Sequence, residues 1–568
     1  MRPSQFHVGF GLVTLSGCLW FLACTPFDLS YLGWIAALPM LIAVDRAPTY
    51  RRALLLGWWA GVVETAGGFY WLIDVMQRFA DFPWIGAALV FFLFCAARAL
   101  IFLLFTAIVC GIRRRRSVPM TLLAPIVMAV CEFAVPQIFP CGQWITQAWQ
   151  PLVIQIAELT GPFGVTALLM MVNGALCDAL VSPRAARYPL VVAAALLAAA
   201  LIFGAVRMRQ IDALLAQAPQ LKVGLVQPNF PYTIDGEFSS DEALRQLAAL
   251  QLETQRLERS GAQLVVWSEG SYPLALPRDF RADLPPASLG MIRRDIAVPV
   301  LIGAVTYDAS KDDAFNSALL LDGAGAVVGR YDKVRLLAFG EYVPGIDLLP
   351  WLRKFIPAGA GRFTAGDGPV VMTLHGPEGR TWAIGPVICY EDILPGLLRR
   401  VGELHPDLLV NLTSDSWFGA KTEPWEHLAL SVFAAVELRV GMVRAVNSGV
   451  SALIDPNGRL LRKTYADDPY REPRAADGML VSAPHMAGGD TMYVRYGNWF
   501  VYLSIVLILV IGATVMRNPG RPLRSSSSPH LVLDSIGFDL HGSGGSLHGE
   551  HDTADECPHI LAVHDDLG

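Results

Sequence analysis

Charged residues are scarce in this chain, because Asp, Glu, Lys and Arg make up 17% of its 568 residues, against roughly 25% in a typical soluble domain. Hydrophobic residues reach 53%, and the mean hydropathy is +0.43. This balance argues against a wholly soluble protein and predicts membrane-spanning segments. The net charge of −6 is mild and negative, which also argues against a nucleic-acid binder.

Cysteine motifs and cofactor motifs are missing as well. The chain has nine cysteines but no Cys-x-x-Cys pair and no regular spacing, which argues against a disulfide framework or a zinc site. Most of them lie in or beside apolar runs before residue 180, where a thiol packs as a small hydrophobic group. Between Asp178 and Glu556 a single cysteine remains, Cys389. Neither a His-Glu-x-x-His motif nor a phosphate-binding loop is present, so no metal or other cofactor is expected.

Apolar runs of about 20 residues, the length that crosses a bilayer, recur through the first 207 residues and once near the C-terminus. We predict a membrane domain of seven spans over 1–207 and an eighth span at 496–516. The seven runs lie near 8–26, 30–44, 53–75, 85–112, 118–136, 162–182 and 188–206. The second is short enough to be re-entrant. Arginine clusters, the longest at 113–116, fall at alternate ends of the spans. Since positive charge favours the cytoplasmic side, residues 207–495 are expected on the exported face.

Residues 220–490 show a different pattern, with short β-branched runs such as "KVGLVQ" and "VPVLIGAV" between helical segments. One helix is predicted to begin after Ser239, because Ser239-x-x-Glu242 is a capping-box pattern and leucines follow at helical spacing. A second is predicted around Pro424, since proline is favoured in a first helical turn. Strands mixed with helices over this length predict a single α/β domain.

Ionisable side chains follow three of the predicted strands. Glu269 comes after "AQLVVWS", Lys333 after "VVGRYD" and Cys389 after "WAIGPVI", with Glu341 and Glu391 near in sequence. A charge at the end of a buried strand is costly without a partner, so three of them indicate a site rather than separate ion pairs. A carboxylate can take the proton of a thiol, the thiolate is a nucleophile, and an ammonium can stabilise an oxyanion. Together they fit acyl transfer through a thioester.

The order Glu, Lys, Cys, with "YDK", "FGEYVP", "ICYE" and "SDSWFG", resembles the carbon–nitrogen hydrolase (nitrilase) superfamily. The flanking spans and segments such as "GWWAGVVETAGGFYWL", "RAVNSG" and "YVRYGNW" are similar to the membrane branch of that superfamily, the apolipoprotein N-acyltransferases. The resemblance covers nearly the whole chain to about residue 516. It implies an exported, nitrilase-like αββα sandwich, here 220–490, on an α-helical membrane domain of about eight spans.

The resemblance also implies roles for individual residues. Glu269 would be the general base, Lys333 would hold the oxyanion, and Cys389 would carry the acyl group. Three neighbours would support the lysine and the intermediate or shape the pocket: Glu341, Tyr390 and Glu391. Two aromatic residues would line the acyl-chain site or else pack in the core: Trp417 and Phe418.

The implied reaction moves a fatty acyl chain from a membrane phospholipid to Cys389, and then to the N-terminal α-amino group of a diacylglyceryl-cysteine apolipoprotein. The expected setting is a bacterial inner membrane, with a multi-pass monomer whose catalytic domain faces the periplasm. Two alternatives stay open. A membrane-tethered amidase or nitrilase would pass the acyl group to water, and a transporter or scaffold would carry an inactive domain.

Four further features allow more than one interpretation. Glu64 and Arg98, inside predicted spans, would form a structural pair or line a cavity for lipid head groups. Residues 348–363 mix aromatic and basic side chains and would form a mobile arm at the lipid surface or a packed loop. The tail 517–568 holds six of the 11 histidines, and a disordered cytoplasmic tail is favoured over a metal-binding one. His427 in "EPWEH" is expected to be a plain surface or packing residue.

Overall fold

The computed structural model describes residues 4–79, 82–184, 186–230, 239–311, 313–345, 363–376, 379–418, 422–464 and 477–517. All of them belong to one compact unit, Met1–Leu523. The proposed arm at 348–363, apart from Phe363, and the tail beyond Arg517 lie outside the described residues, so both stay predictions.

The first half of the chain is helical. Its long apolar runs form the helices, and proline, glycine and arginine lie at many of the turns between them. Its described helices are α1 Ser4–Ala23, α2 Leu38–Asp45, α3 Tyr50–Gly68, α4 Leu72–Phe79, α5 Trp84–Arg98, α6 Leu100–Arg113, α7 Met120–Ala134, α8 Pro151–Ile154, α9 Ala157–Thr160, α10 Phe163–Val181 and α11 Arg187–Leu215. Short 3-10 turns, Ser30–Trp34 and Gln143–Gln147, connect some of them.

In the described part of the chain, four helical stretches are long and apolar enough to cross a membrane: Trp84–Arg113, Phe163–Val181, Arg187–Leu215 and Trp499–Arg517. Other predicted spans are shorter or divided. The run near 30–44 is split between a 3-10 turn and α2, and the run near 53–75 is split into α3 and α4. The count of eight spans and the export of residues 207–495 therefore stay predictions.

Charged side chains gather at one end of the helical bundle. Arg113, at the end of α6, lies 2.8 Å from Asp45 Oδ1 at the end of α2 and 3.7 Å from Asp178 Oδ1 near the end of α10. Asp178 also accepts hydrogen bonds from the backbone N–H groups of Met120 and Thr121, which open α7, each over 2.9 Å. The ends of α2, α6 and α10 and the start of α7 therefore meet at one face of the bundle, beside the arginine cluster at 113–116.

Strands dominate after residue 219. They are β1 Gln220–Gln227, β2 Leu264–Val266, β3 Leu276–Pro277, β4 Val300–Asp308, β5 Asp313–Leu321, β6 Val327–Asp332, β7 Met372–His375, β8 Thr381–Ile388, β9 Leu408–Thr413, β10 Gly441–Val446, β11 Ala452–Ile454, β12 Leu460–Lys463 and β13 Asp477–Pro484. The helices of this half are α12 Ser240–Arg259, α13 Pro395–Gly402, α14 Glu423–Leu438, α15 Met492–Tyr496 and α16 Trp499–Arg517.

The described strands form two sheets. The first has the order β13-β1-β2-β4-β5-β6, with β3 paired to β4, and the second has the order β12-β11-β10-β9-β8-β7. In the first sheet β2 and β4 are parallel, while β5 is antiparallel to both β4 and β6. Strands β2, β4 and β6 therefore end at the same edge, which is why residues that follow β2 and β6 can meet.

The two sheets pack face to face, because apolar residues alternate along their strands. Leu221, Val223 and Leu225 of β1 share one core with Leu408 and Val410 of β9. On the outer faces, α12 covers the first sheet, and α13 and α14 cover the second. This is the αββα arrangement that the family resemblance implies.

Both helices predicted in this half are present. The Ser239 side chain accepts a hydrogen bond from the Glu242 backbone N–H over 3.2 Å at the start of α12. Helix α14 has Pro424 in its first turn and ends before Arg439, whose φ is 53°. This left-handed residue stops the helix.

The predicted ion pair between Glu64 and Arg98 is wrong, since these two described residues do not contact each other as a pair. The Glu64 carboxylate accepts from Gln143 Nε2 at 3.2 and 3.1 Å. Arg98 donates to the Gln137 side chain and, over 2.5 Å, to the carbonyl of Cys141. The segment from Gln137 to Gln143 therefore supplies the neutral hydrogen-bond partners that these two buried side chains need.

Candidate active site

Glu269 lies just beyond β2, at the edge of the first sheet. Strand β4 approaches this segment so closely that a Cβ atom on Gly303 would clash with the backbone carbonyl of Ser268, so glycine is required there. Trp267 is fully buried and donates its indole N–H to Thr254 Oγ1 over 2.8 Å. The end of β2 is therefore held against α12 by Trp267, and Glu269 follows two residues later.

Lys333 follows β6 directly and is 1% exposed. Its Nζ lies 3.1 Å from Glu269 Oε1 and 2.9 Å from the Glu341 carboxylate. Asn316, on β5, donates from Nδ2 to Glu269 Oε1 over 2.7 Å and to Glu341 Oε1 over 2.9 Å. The structure thus places two predicted carboxylates around one ammonium and adds an amide that the sequence analysis missed. A signal existed, because Asn is depleted in strands yet opens the strand-like run "NSALLL".

Cys389 follows β8 and begins the 3-10 turn Cys389–Ile393. Its φ is +57°, a strained value for a residue with a side chain and one that clusters at functional sites. Asn411, on β9, donates from Nδ2 to the Cys389 carbonyl over 2.9 Å. The nucleophile candidate therefore sits on a sharp turn at a strand end, held by the neighbouring strand.

Electrostatics couple the three groups. Burial raises the pKa of the Cys389 thiol well above its ordinary value, Glu269 raises it further, and Lys333 opposes both. Burial lowers the pKa of Lys333, but the neighbouring acidic groups of Cys389, Glu269 and Glu341 outweigh it and leave the pKa well above its ordinary value. Burial also raises the pKa of Glu269, against the attraction of Lys333. The resting site therefore combines a protonated lysine with a neutral thiol, and the thiol ionises only by passing its proton to a neighbouring base.

Glu391 supports the turn rather than the cavity. It accepts hydrogen bonds from the Tyr331 hydroxyl at 2.7 Å and from the backbone N–H groups of Val334, Arg335 and Ile388 at 2.8, 2.9 and 2.9 Å. These donors fill most of the acceptor positions of a carboxylate. The side chain thereby ties the segment after Lys333 to the segment that carries Cys389.

Tyr390 and Glu341 close the site on the side of the loop after β6. The Lys333 ammonium lies 5.6 Å from the centroid of the Tyr390 ring, and the Tyr390 hydroxyl donates to the Leu336 carbonyl over 2.9 Å. Glu341 accepts from the Leu337 backbone N–H over 2.8 Å. Both side chains therefore position Lys333, one by its ring and one by its charge.

A narrow cavity of about 20 Å³ lies beside Cys389, with room for about one water-sized group. Its aromatic wall combines Phe418 with Phe69, Trp71 and Phe139 from the helical half. The Phe418 ring stands edge-on to Trp71, with centroids 5.2 Å apart, and to Phe139 at 6.3 Å. Phe418 thus lines the same cavity as Cys389, and its role toward the acyl chain stays a prediction.

Trp417, the other predicted lining residue, ends the 3-10 turn Asp415–Trp417. Its side chain lies outside the described residues, so its role stays a prediction.

The polar part of the cavity lining comes from the first turns of α14: Glu423, Glu426 and His427. His427 is 4% exposed, so the expectation of a surface position is wrong. Its Nε2 lies 2.8 Å from Asp392 Oδ1 and its Nδ1 lies 2.9 Å from Asp415 Oδ1. A histidine that looked incidental in the sequence is therefore part of a buried charge network beside the thiol.

Arg444, on β10, completes this network. It lies 2.5 Å from Asp392 Oδ2, and the Ser431 hydroxyl donates to the same oxygen over 2.8 Å. Burial and Arg444 lower the pKa of His427, yet Asp392 and Asp415 raise it to about 10. The imidazole is therefore a cation that two carboxylates hold in place. Because these partners come from separate elements, no local motif reveals them.

Two families match consecutive parts of the chain. The apolipoprotein N-acyltransferase N-terminal domain matches residues 16–175. Carbon-nitrogen hydrolase matches residues 222–468, the range that holds every predicted site residue. An apolipoprotein N-acyltransferase of Geobacter metallireducens is 29% identical over 518 residues, covering 89% of this chain and 95% of the relative. One of Bdellovibrio bacteriovorus is 27% identical over 507 residues, covering 84% and 88%.

Over most of its length the chain is similar to apolipoprotein N-acyltransferases. It is therefore an acyltransferase of the carbon–nitrogen hydrolase superfamily, and the resemblance stated from the sequence is confirmed. Among solved structures, an amidase from Nesterenkonia sp. is 17% identical with a TM-score of 0.35, covering 51% of this chain and 97% of that chain. The matched ranges fall inside the predicted domains 1–207 and 220–490, whose bounds stay predictions.

Proposed function

We propose that this protein carries a fatty acyl chain from a membrane phospholipid, through a thioester on Cys389, to the N-terminal α-amino group of a diacylglyceryl-cysteine apolipoprotein. The observation that carries the proposal is Lys333, whose ammonium lies 3.1 Å from Glu269 and 2.9 Å from Glu341, close to a thiol on a strained turn. The names of the relatives support lipoprotein N-acylation in general.

In the first half-reaction, Glu269 takes the proton of Cys389 and the thiolate attacks the ester carbonyl carbon. Glu269 Oε2 is buried and has no hydrogen-bond partner among the described residues, so it can accept that proton. The oxyanion that forms is stabilised by the ammonium of Lys333. The carbon–oxygen bond then breaks, Glu269 returns the proton to the departing alkoxide, and a lysophospholipid leaves.

In the second half-reaction, a neutral amine attacks the thioester carbon, again beside Lys333. Glu269 takes a proton from the attacking nitrogen and delivers it to the sulfur as the carbon–sulfur bond breaks. The products are an amide on the acceptor and the thiol of Cys389. One base therefore serves both half-reactions, first for the thiol and then for the amine.

The aromatic wall of the cavity supports a lipid donor and an amine acceptor. Phe69, Trp71 and Phe139 come from the helical half, so the thiol faces a surface that continues into the apolar bundle. Such a wall limits the access of water, which favours aminolysis of the thioester over hydrolysis. Helix α7 begins beside Asp178 and Arg113 and ends shortly before Phe139, so the arginine cluster at 113–116 and this aromatic residue lie toward opposite ends of one helix. This supports a catalytic domain on the periplasmic face of a bacterial inner membrane. We take the active form to be a monomer.

The test is product analysis with purified protein in liposomes that contain phospholipid labelled in its acyl chain, with a synthetic diacylated lipopeptide as acceptor. We expect the label as an amide on the lipopeptide, and no product from the Cys389→Ala variant. Label found only in free fatty acid would assign the protein to the hydrolases instead. An undiminished amide yield from Cys389→Ala would remove the thiol from the mechanism.

A further inference from the structure

The cavity beside Cys389 ends in two carboxyl groups that the steps above do not use. Glu423 and Glu426 are 6% and 5% exposed, and both line the cavity together with Cys389. Its volume of about 20 Å³ holds one water-sized group. An ammonium has that size, whereas a fatty chain is far larger, so the polar end of the cavity suits a small cation.

Both carboxyl groups keep unused capacity for hydrogen bonds. Glu423 Oε2 is buried and has no hydrogen-bond partner among the described residues, and Glu423 Oε1 lies 3.9 Å from His427 Nδ1. Glu426 Oε2 accepts one hydrogen bond, from Trp71 Nε1 over 3.0 Å. A carboxylate has about four acceptor positions, and leaving them unfilled when buried is costly. An incoming N–H donor would therefore be stabilised here.

Charged neighbours of the pair come from both halves of the chain: Asp415, His427 and Arg444 beside Glu423, and Arg98 and His427 beside Glu426. A metal ion fits this surrounding poorly. Donor atoms of Asp415, Glu423 and His427 do lie within 4.8 Å of one another. However, both ring nitrogens of His427 are already hydrogen-bonded to carboxylates, so the imidazolium has no lone pair to offer.

The proposed reaction leaves one proton without an acceptor. An α-amino group has a pKa of about 7.7–8.0, so the acceptor arrives mostly as an ammonium, and only the neutral amine can attack. Glu269 carries the proton that moves from the attacking nitrogen to the sulfur. The earlier proton, which turns the ammonium into an amine, needs a second base near Cys389.

We propose that Glu423 and Glu426 bind a primary ammonium, that of the acceptor's N-terminal residue, and that Glu426 removes its first proton. In this step an N–H bond breaks, its electron pair stays on nitrogen, and the proton joins the Glu426 carboxylate. The inference rests on the proposed function, because it assigns the acceptor site of the same reaction.

The energetics of this step are nearly balanced. Burial raises the pKa of Glu426 to about 7, against the hydrogen bond from Trp71, which is close to the pKa of an α-ammonium. A base matched in this way transfers protons efficiently. Burial also raises the pKa of Glu423 well above its ordinary value, and an approaching cation favours its ionised form. An ethanolamine head group on the donor carries the same primary ammonium, so the experiment must separate the two sources.

The experiment follows the two half-reactions separately in wild type, Glu423→Gln, Glu426→Gln and the double variant. Cys389 is first loaded with labelled acyl chain from phosphatidylethanolamine or, in a parallel arm, from phosphatidylglycerol. A diacylated lipopeptide is then added and the loss of label is timed. We expect all variants to load at the wild-type rate from either donor. Transfer to the lipopeptide should slow by roughly 10²-fold in the double variant, the size of a general-base contribution.

Two controls separate this role from a structural one. Hydroxylamine, an amine that is uncharged at neutral pH, should discharge the thioester at the wild-type rate in every variant. Transfer by the double variant should also recover as the pH rises above the pKa of the α-ammonium. Glu437→Gln removes another buried glutamate of α14 with an unpartnered oxygen, one that does not line the cavity, and it should not separate loading from transfer.

Several results would overturn the inference. Equal rates of transfer in the wild type and the double variant would do so, as would equal slowing of loading and transfer. A defect confined to loading from phosphatidylethanolamine would assign the ammonium to the donor head group instead of the acceptor. Failure of the wild type to load Cys389 at all would be a different result, since it would reject the proposed function and this inference with it.

Discussion

The indole N–H of Trp71 donates to Glu426 Oε2 over 3.0 Å. Trp71 comes from the helical half and Glu426 from the first turn of α14, so this bond joins the two parts of the chain at the cavity. A second hydrogen bond joins the same two parts, since the Tyr70 hydroxyl lies 2.5 Å from Thr422 Oγ1. The polar wall of the cavity therefore depends on the position of the helical half.

Replacing Trp71 by Phe keeps the ring and removes this hydrogen bond. A bond to a charged group contributes about 1.5–3 kcal/mol, so we expect transfer to the lipopeptide to fall about tenfold or more. In the double variant of Trp71→Phe and Glu426→Gln, the two losses of transfer rate should be less than additive, since both substitutions remove the same contact. Trp59→Phe is the control, because that indole donates to Thr14 Oγ1. Strict additivity of Trp71→Phe and Glu426→Gln would show that the contact is unimportant.

Asn316→Ala should change the pH dependence of the enzyme as well as its rate. The Asn316 hydrogen bond lowers the pKa of Glu269, so its loss raises that pKa and leaves the base protonated over a wider range. The acid limb of the kcat/KM profile should therefore move to higher pH, with the rate lower by about 10²-fold, as for loss of one preorganised donor. Ser317→Ala, on the same strand, should leave the limb in place. An unmoved limb in Asn316→Ala would contradict the assigned role.

The buried imidazolium predicts a stability change at alkaline pH. The folded-state pKa of His427 is about 10, above its ordinary value of 6.5. Its contribution to stability is therefore fully present below pH 6.5 and is lost as the pH rises through 10.

Thermal unfolding in detergent checks this directly. His427→Gln should lower the melting temperature at pH 7, because removing one partner of a buried pair costs about 3–5 kcal/mol. The gap to the wild type should shrink as the pH approaches 10. His485→Gln, which removes a part-exposed histidine 3.4 Å from Asp407, should show a small gap. A gap for His427→Gln that is constant from pH 7 to pH 10 would contradict the assignment of a cation.

Phe418→Ala should affect long acyl chains more than short ones. The ring packs against Trp71 and Phe139 beside the thiol, so its removal takes away apolar contact for a chain. We expect a higher KM for a long-chain phospholipid and little change for a short, water-soluble ester. Phe418→Leu should keep most of the activity on the phospholipid. Equal losses on both substrates in Phe418→Ala would place the ring outside the acyl-chain site.

The main features of the site could be predicted because each is anchored to a strand. Glu269, Lys333 and Cys389 each follow an apolar run. Strands β2 and β6 run in the same direction and end at one edge of the first sheet, and Cys389 follows β8 of the second sheet. Asn316 was missed because a single amide in a strand has no periodic signal. The Asp392 and His427 contact was missed because it joins a 3-10 turn to a helix 35 residues later.

The helical half shows the same limit. Hydropathy found the apolar runs but not their breaks, such as the one between α3 and α4 that positions Phe69 and Trp71 beside the cavity. It also paired Glu64 with Arg98 by charge alone, whereas Gln143 is the partner of Glu64, and the Gln137 side chain and the Cys141 carbonyl are the partners of Arg98. Tertiary packing decides which neutral groups a turn brings near a buried charge. A hydropathy pattern along the sequence does not contain that information.

The most direct measurement is the mass of the Cys389 peptide in a single turnover, taken after incubation with phospholipid and again after addition of a diacylated lipopeptide. We predict a gain of one acyl chain on Cys389, removed by hydroxylamine, followed by its loss with an equal amount of acylated lipopeptide. Glu269→Gln should block the gain. Formation of the amide while Cys389 stays unmodified, or with the acyl chain on another residue, would contradict the thioester mechanism.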